Sequence, residues 1–157
     1  MKQNTENLFH FIKEQENELV KKYLWEKGIN TRDREQRTAL INSAFYNNTE
    51  LLKWLIENKA EINIQDSIGF TALHFACQEG HFESVKILIE NNADINLVDV
   101  YGNTAVWVTI MNWKGGLNYP ILKELYAYGA DFTIKNKAGN SVSNIIPENI
   151  MEQLKSN

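Results

Sequence analysis

Cysteine is almost missing from the 157-residue chain: Cys77 stands alone, so no disulfide framework can form within one copy, and a reducing, intracellular compartment is expected. With only two prolines, a Pro-rich linker is excluded as well. Positive charge is not in excess, because sixteen Lys and Arg face twenty Asp and Glu for a formal net charge of -4, and this disfavours a general nucleic-acid binder. Long apolar runs are also lacking. Met1 to Phe9 is polar and includes Glu6, so neither a signal peptide nor a membrane span is predicted, and the expected location is the cytoplasm. What is there, 43% hydrophobic and 23% charged residues, is the profile of one folded globular domain.

Self-comparison of the chain gives a fixed period. Asp33, Asp66 and Asp99 are 33 residues apart, as are Thr38, Thr71 and Thr104, and Leu40, Leu73 and Val106. Leu55 and Leu88 keep the same spacing, and Leu125 follows after a four-residue insertion. Within each period the sequence reads as turn, short helix, tight loop, longer helix and loop. The second helix carries apolar residues at helical spacing: Val20, Tyr23 and Leu24; Leu52, Leu55 and Ile56; Val85, Leu88 and Ile89; Leu122, Leu125 and Tyr126. One helix pair cannot bury such a stripe alone, so neighbours must stack and the end units must be more polar outside. The first unit supplies Glu14, Glu16, Glu18, Lys21 and Lys22, and the last ends in Glu152-Gln153-Leu154-Lys155, so both read as caps.

The segment from Asp66 to His81, DSIGFTALHFACQEGH, closely resembles the ankyrin repeat, whose usual core is D-x-x-G-x-T-P-L-H-x-A-A-x-x-G-H; Ala72 and Cys77 are the departures. The resemblance implies an all-α ankyrin solenoid of helix-turn-helix units with short hairpin-like loops, forming a single domain over residues 1–157. It divides into a degenerate N-terminal unit at about 4–30, repeats at 33–65, 66–98 and 99–135, and a C-terminal partial unit at 136–157. Gly69, Gly102 and Gly139 fall at a tight bend that needs positive φ. Gln36 stands there in the first hairpin, which is therefore expected to be looser. The three threonines should cap their helices, for roughly 1 kcal/mol each.

Catalytic, cofactor and metal roles are assigned to no residue. The three histidines and one cysteine show neither C-x-x-C nor H-x-x-x-H spacing. His74 and His81 fall on structural positions of the resembled family, His10 carries no further signal, and Cys77 takes a small buried position where the family has Ala. Lys114-Gly115-Gly116 matches no phosphate-binding loop. The run Arg32 to Arg37 has mixed sign and reads as a local ion-pair set. Asn47-Asn48-Thr49 spells a glycosylation sequon but lies between helices and is expected to stay unmodified.

Recognition of another protein remains, and the resemblance implies a non-catalytic binding module. The family's variable positions, at hairpin tips and on the first helices, fall on Arg34, Glu35, Arg37, Phe45 and Tyr46, then on Ser67, Ile68, Phe70, Gln78 and Glu79. In the third repeat they are Val100, Tyr101, Asn103, Ile110 and Met111. Aligned aromatics there would make an interaction patch, or Phe45, Tyr46 and Met111 could fold down between helices; the row Ile68, Phe70, Val100 and Tyr101 favours a patch. The insertion contributes Trp113 and Tyr119, which either touch a partner or pack against Trp107. Its glycines, followed by ILKELYAYGAD and KNKAGNS, resemble ankyrin-type immunity proteins of bacterial toxin systems, which implies a toxin domain as partner, with Glu35 or Glu79 meeting basic groups at its cleft. A general adaptor or host-directed effector would use the same surface. A monomer when free is expected, with no nucleic-acid or membrane partner.

Overall fold

The computed structural model describes residues 5–112 and 118–156, with side chains from Leu8 onward. The helices are α1 (Thr5–Lys13), α2 (Asn17–Lys27), α3 (Ala39–Phe45), α4 (Thr49–Glu57), α5 (Ala72–Glu79), α6 (Phe82–Glu90), α7 (Ala105–Met111), α8 (Tyr119–Ala127), α9 (Val142–Ile145) and α10 (Glu148–Lys155). They stack in two layers. First helices pack in the order α1, α3, α5, α7 and α9, while α6 packs on α4 and α8 in the layer behind. Among the described residues the only strand-like pairing is an isolated antiparallel bridge between Val98 and Thr104, so the fold is all-α.

The repeat period determines the local structure through its caps. Thr38, Thr71 and Thr104 each precede a first helix in extended backbone, and each hydroxyl accepts the N–H three residues on, from Ile41, His74 and Trp107, at 3.3 Å. The apolar stripe closes behind them. Val20, Leu24, Leu52, Leu55, Val85, Leu88, Ile89, Leu122 and Leu125 are all buried, with Tyr23, Ile56 and Tyr126 packed on the margin. A second helix that lost this face would have nothing to hold it, because nine residues are too few for a stable isolated helix.

The degenerate first unit is tied in by Asn48. Its Oδ1 accepts from Leu51 N at 3.1 Å to cap α4, and its Nδ2 donates to Asn17 Oδ1 at 2.7 Å and to Ile12 O at 3.2 Å. Asn48 itself is buried, whereas Asn47, the sequon residue whose amide would carry a glycan, is exposed and accepts from Ser84 Oγ at 2.9 Å through its Oδ1. The outer face of this unit is less polar than expected of a cap: Trp25 is 74% exposed and Leu19 is also exposed.

The first hairpin corrects one expectation. Gln36 adopts φ 64° and donates its N–H to Asp33 O at 3.1 Å, the bond that Gly69 and Gly102 make to Asp66 O and Asp99 O at 3.0 and 2.9 Å. The turn is no looser than its glycine counterparts. The aspartate at its base organises it, and a non-glycine residue there costs only local strain.

Candidate functional site

Four hairpins project from the starts of the first helices. Each is closed by the residue at its base: Asp66 Oδ1 accepts from Ile68 N and Phe70 N at 3.0 and 2.9 Å, and Asp99 Oδ1 from Tyr101 N and Asn103 N, both at 2.8 Å. In the last hairpin Asn136 Oδ1 does the same for Ala138 N and Asn140 N at 3.1 Å. One backbone rung joins each hairpin to the next. Ser67 N donates to Glu35 O (2.9 Å), Val100 N to Ile68 O (3.0 Å) and Lys137 N to Tyr101 O (2.8 Å). The tips therefore form a fixed comb rather than four independent loops.

Along that comb the middle is apolar. Tyr101 is 64% exposed, Val100 43% and Ile68 41%, and the rung places Val100 beside Ile68. Arg34 and Glu35 are exposed on the first hairpin. Ser67 is exposed as well, and these are the predicted tip residues that face outward. Met111 is exposed too, at the far end of α7, roughly 10 Å of helix away from its hairpin.

Other predicted contact residues are used internally. Phe70 lies 5.1 Å from both the His74 and Phe75 rings, and Phe45 lies 5.5 Å from Phe75 and 4.8 Å from Tyr46. Phe70 thus belongs to an aromatic cluster over α5 and not to the tip row. Arg37 reaches the next repeat, its Nε 3.2 Å from Asp66 Oδ2 and its guanidinium 4.6 Å over the Phe75 ring. Arg37 therefore pairs outside the mixed-sign run. Asn103 donates to Asp99 Oδ2 and accepts from Asn136 Nδ2, each at 3.0 Å. Gln78 donates to Glu79 at 2.9 Å, and both are half-buried. Ile110, Trp107 and Tyr119 pack on the core margin, and Trp113 lies outside the described residues.

His74 explains its own burial. Thr71 N can only donate, and it points to His74 Nδ1 at 3.2 Å, so Nδ1 accepts and Nε2–H donates to Asn103 O at 3.2 Å in the next repeat. Burial holds the imidazole below its ordinary pKa, against smaller opposing effects from the Asn103 carbonyl and nearby aspartates. Folding thus favours the neutral ring, so stability is lost as pH falls below the ordinary histidine range. His74→Ala is expected to cost about 1–2 kcal/mol and to flatten the decline in thermal midpoint between pH 7.5 and 5.5. An unchanged slope in the variant would assign that decline to other groups. His81 Nε2–H likewise donates to Phe45 O at 3.1 Å, across to the preceding repeat.

Cys77 is fully buried, and desolvation pushes its thiol up to about 12, so it is no nucleophile at neutral pH. Among the described residues no group of three His, Cys, Asp or Glu side chains could hold a metal ion. No helix among them is long and apolar enough to cross a membrane.

Sequence reasoning missed the exposed Trp25. Its ring meets Trp54 edge-on at 6.1 Å, beside a cleft of about 280 Å³ lined also by Leu24, Gly28, Ile29 and Asn58. The available signal was position: Trp25 falls one residue off the buried stripe of α2.

Comparison with known proteins places the architecture. The human, dog and mouse inversins are each 40% identical to this chain over 58 residues, which is 37% of this chain and 5, 5 and 6% of theirs. The chain thus matches only a small part of those relatives' length. A family model described as ankyrin repeats in three copies matches residues 1–66 and 43–136, most of the chain. Ankyrin repeats are protein-binding modules, and a chain with this period, these threonine-capped first helices and this hairpin comb belongs to the ankyrin-repeat family.

Proposed function

We propose that this chain acts by seating a partner protein along its hairpin tips and covering a surface that the partner needs. The observation that carries the reading is the apolar group Ile68, Val100 and Tyr101, exposed side by side on adjacent hairpins whose backbones are already fixed. An anchor on a rigid support binds without first losing conformational entropy. Nothing in the core needs these three side chains to be apolar, so their exposure calls for a partner.

The specific form we propose is inhibition of a toxin domain by occlusion, on the likeness of the glycine-containing insertion, ILKELYAYGAD and KNKAGNS to immunity proteins of bacterial toxin systems. Capture of the tagged chain from its native lysate, followed by mass spectrometry and a stoichiometry measurement, tests it. One tight one-to-one partner that is toxic when expressed alone is the expected result. Several weak partners would favour an adaptor or effector instead.

Tyr101→Ala together with Val100→Ser is expected to weaken that complex by about 2 kcal/mol while leaving the thermal midpoint nearly unchanged. Phe70→Ala serves as the contrast. It should lower the midpoint, because its ring is packed between His74 and Phe75. If Tyr101→Ala destabilised the chain as much as Phe70→Ala does, the tip group would be core and the reading would fall.

A further inference from the structure

The chain carries net negative charge, yet its hairpin comb does not. In the positions flanking each basal Asp or Asn, the first hairpin has Arg32 and Arg34 and the last has Lys135 and Lys137. The two hairpins between them have Gln65 and Ser67, then Val98 and Val100, with no charge at all. Asp33, Asp66 and Asp99 are buried at the hairpin bases, which leaves Glu35 as the exposed carboxylate of the tip rows. The acidic excess lies elsewhere: Glu14 and Glu16 between α1 and α2, two Glu against one Lys on each of α4, α6 and α10, and Asp94 after α6.

The comb is therefore cationic at both ends and apolar in the middle. Arg32 commits one N–H to Gln65 O at 3.2 Å, which holds its guanidinium against the second hairpin and keeps its charge on the strip. Lys135 and Lys137 are exposed and make no ion pair among the described residues. Each hairpin contributes two chain widths of about 4.8 Å, so the first and fourth tips are about 30 Å apart, the reach of roughly nine extended residues.

From this we infer that the partner's contacting segment is an extended, acidic one: carboxylates at both ends of an apolar centre, lying along the tips from the first hairpin to the fourth. The inference rests on the binding surface proposed above and adds the chemistry of its occupant. Charge complementarity sets the register of such a segment and speeds its encounter. The central contact with Ile68, Val100 and Tyr101 provides the desolvated anchor. A nucleic acid fits less well, because it presents a phosphate at every step and the two middle hairpins have no cation to meet them.

Fluorescence anisotropy of the full chain with labelled synthetic peptides tests this. One peptide has paired Glu at both ends of a Leu, Val and Phe centre; a second has the same centre with Lys ends. The Glu-ended peptide is expected to bind at least about tenfold more tightly, with the gap narrowing as NaCl is raised from about 50 to 200 mM. Lys135→Glu with Lys137→Glu should erase the preference at an unchanged thermal midpoint. Equal affinities, a preference for Lys ends, or no binding of the Glu-ended peptide would overturn the inference. If binding were indifferent to charge but lost in Tyr101→Ala, the apolar surface would stand and its acidic occupant would not. A labelled oligo-dT that bound more tightly than the Glu-ended peptide, through the same lysines, would give the cations to nucleic acid and also overturn it.

Discussion

Gly69→Ala is expected to cost the chain about 3 kcal/mol or more, whereas Gly139→Ala should cost about 1. Both glycines have φ 82°, so both substitutions carry the same left-handed backbone penalty of about 1 kcal/mol. They differ in what surrounds them. A Cβ on Gly69 would sit 2.8 Å from Asp99 Cα and from Val100 N, the backbone of the next hairpin, so one of the two hairpins must shift against the other. A Cβ on Gly139 would meet nothing within 4 Å. Urea unfolding of the two variants measures the gap, and equal costs would show that the hairpins are not held at this separation. Gly102, whose Cβ would lie 3.0 Å from Asn136 Cα, should fall with Gly69.

Equivalent aspartates should respond oppositely to the same change. Asp66→Asn is expected to destabilise by about 2–3 kcal/mol, because Asp66 is buried and its Oδ2 receives the Arg37 guanidinium, which the variant would meet with a side-chain N–H or a weaker, uncharged acceptor. Asp33→Asn should be neutral or stabilising by up to about 1 kcal/mol. Asp33 Oδ1 accepts from Arg37 N at 2.8 Å, which an amide oxygen can also do, while Oδ2 is buried without a hydrogen-bond partner. Asn136 already fills the equivalent place in the last hairpin with intact turn bonds. Desolvation raises the Asp33 carboxyl above its ordinary value, so the folded state prefers it protonated and is penalised at neutral pH. The advantage of Asp33→Asn should therefore be largest near pH 7 and close as pH falls through the carboxylate range. A constant advantage would locate its origin outside this charge.

The repeats were legible because a 33-residue period constrains every level at once: threonine caps, buried leucines and hairpin aspartates recur together. What the period could not give was the size of the neighbour across a packing gap. Phe45 and Phe70 occupy positions that vary in the family, and their rings turn inward because Phe75, between them, offers edge and face within 5.5 Å. Arg37 was equally hidden from local reading, since its partners Asp66 and Phe75 come from the next unit. Trp25 escaped for another reason: the first unit lacks the Asp and Thr of the 33-residue register, so only its offset from the Val20, Tyr23 and Leu24 stripe said which way it faced.

The anchoring of the two ends is unequal, and this gives the array a direction. At the front, the buried side chain of Asn48 ties α1 and α2 to α4 through three hydrogen bonds. At the rear, α9 lasts a single turn, Ser141 bonds to Ser143 and Asn144 side chains instead of capping it, and Pro147 interrupts the chain before α10. In a structure whose units touch only their neighbours, opening starts where the terminal interface is weakest. Amide protons of α9 and α10 are thus the first to exchange, and a partner lying across all four tips would slow that exchange by fastening the last hairpin to the three before it.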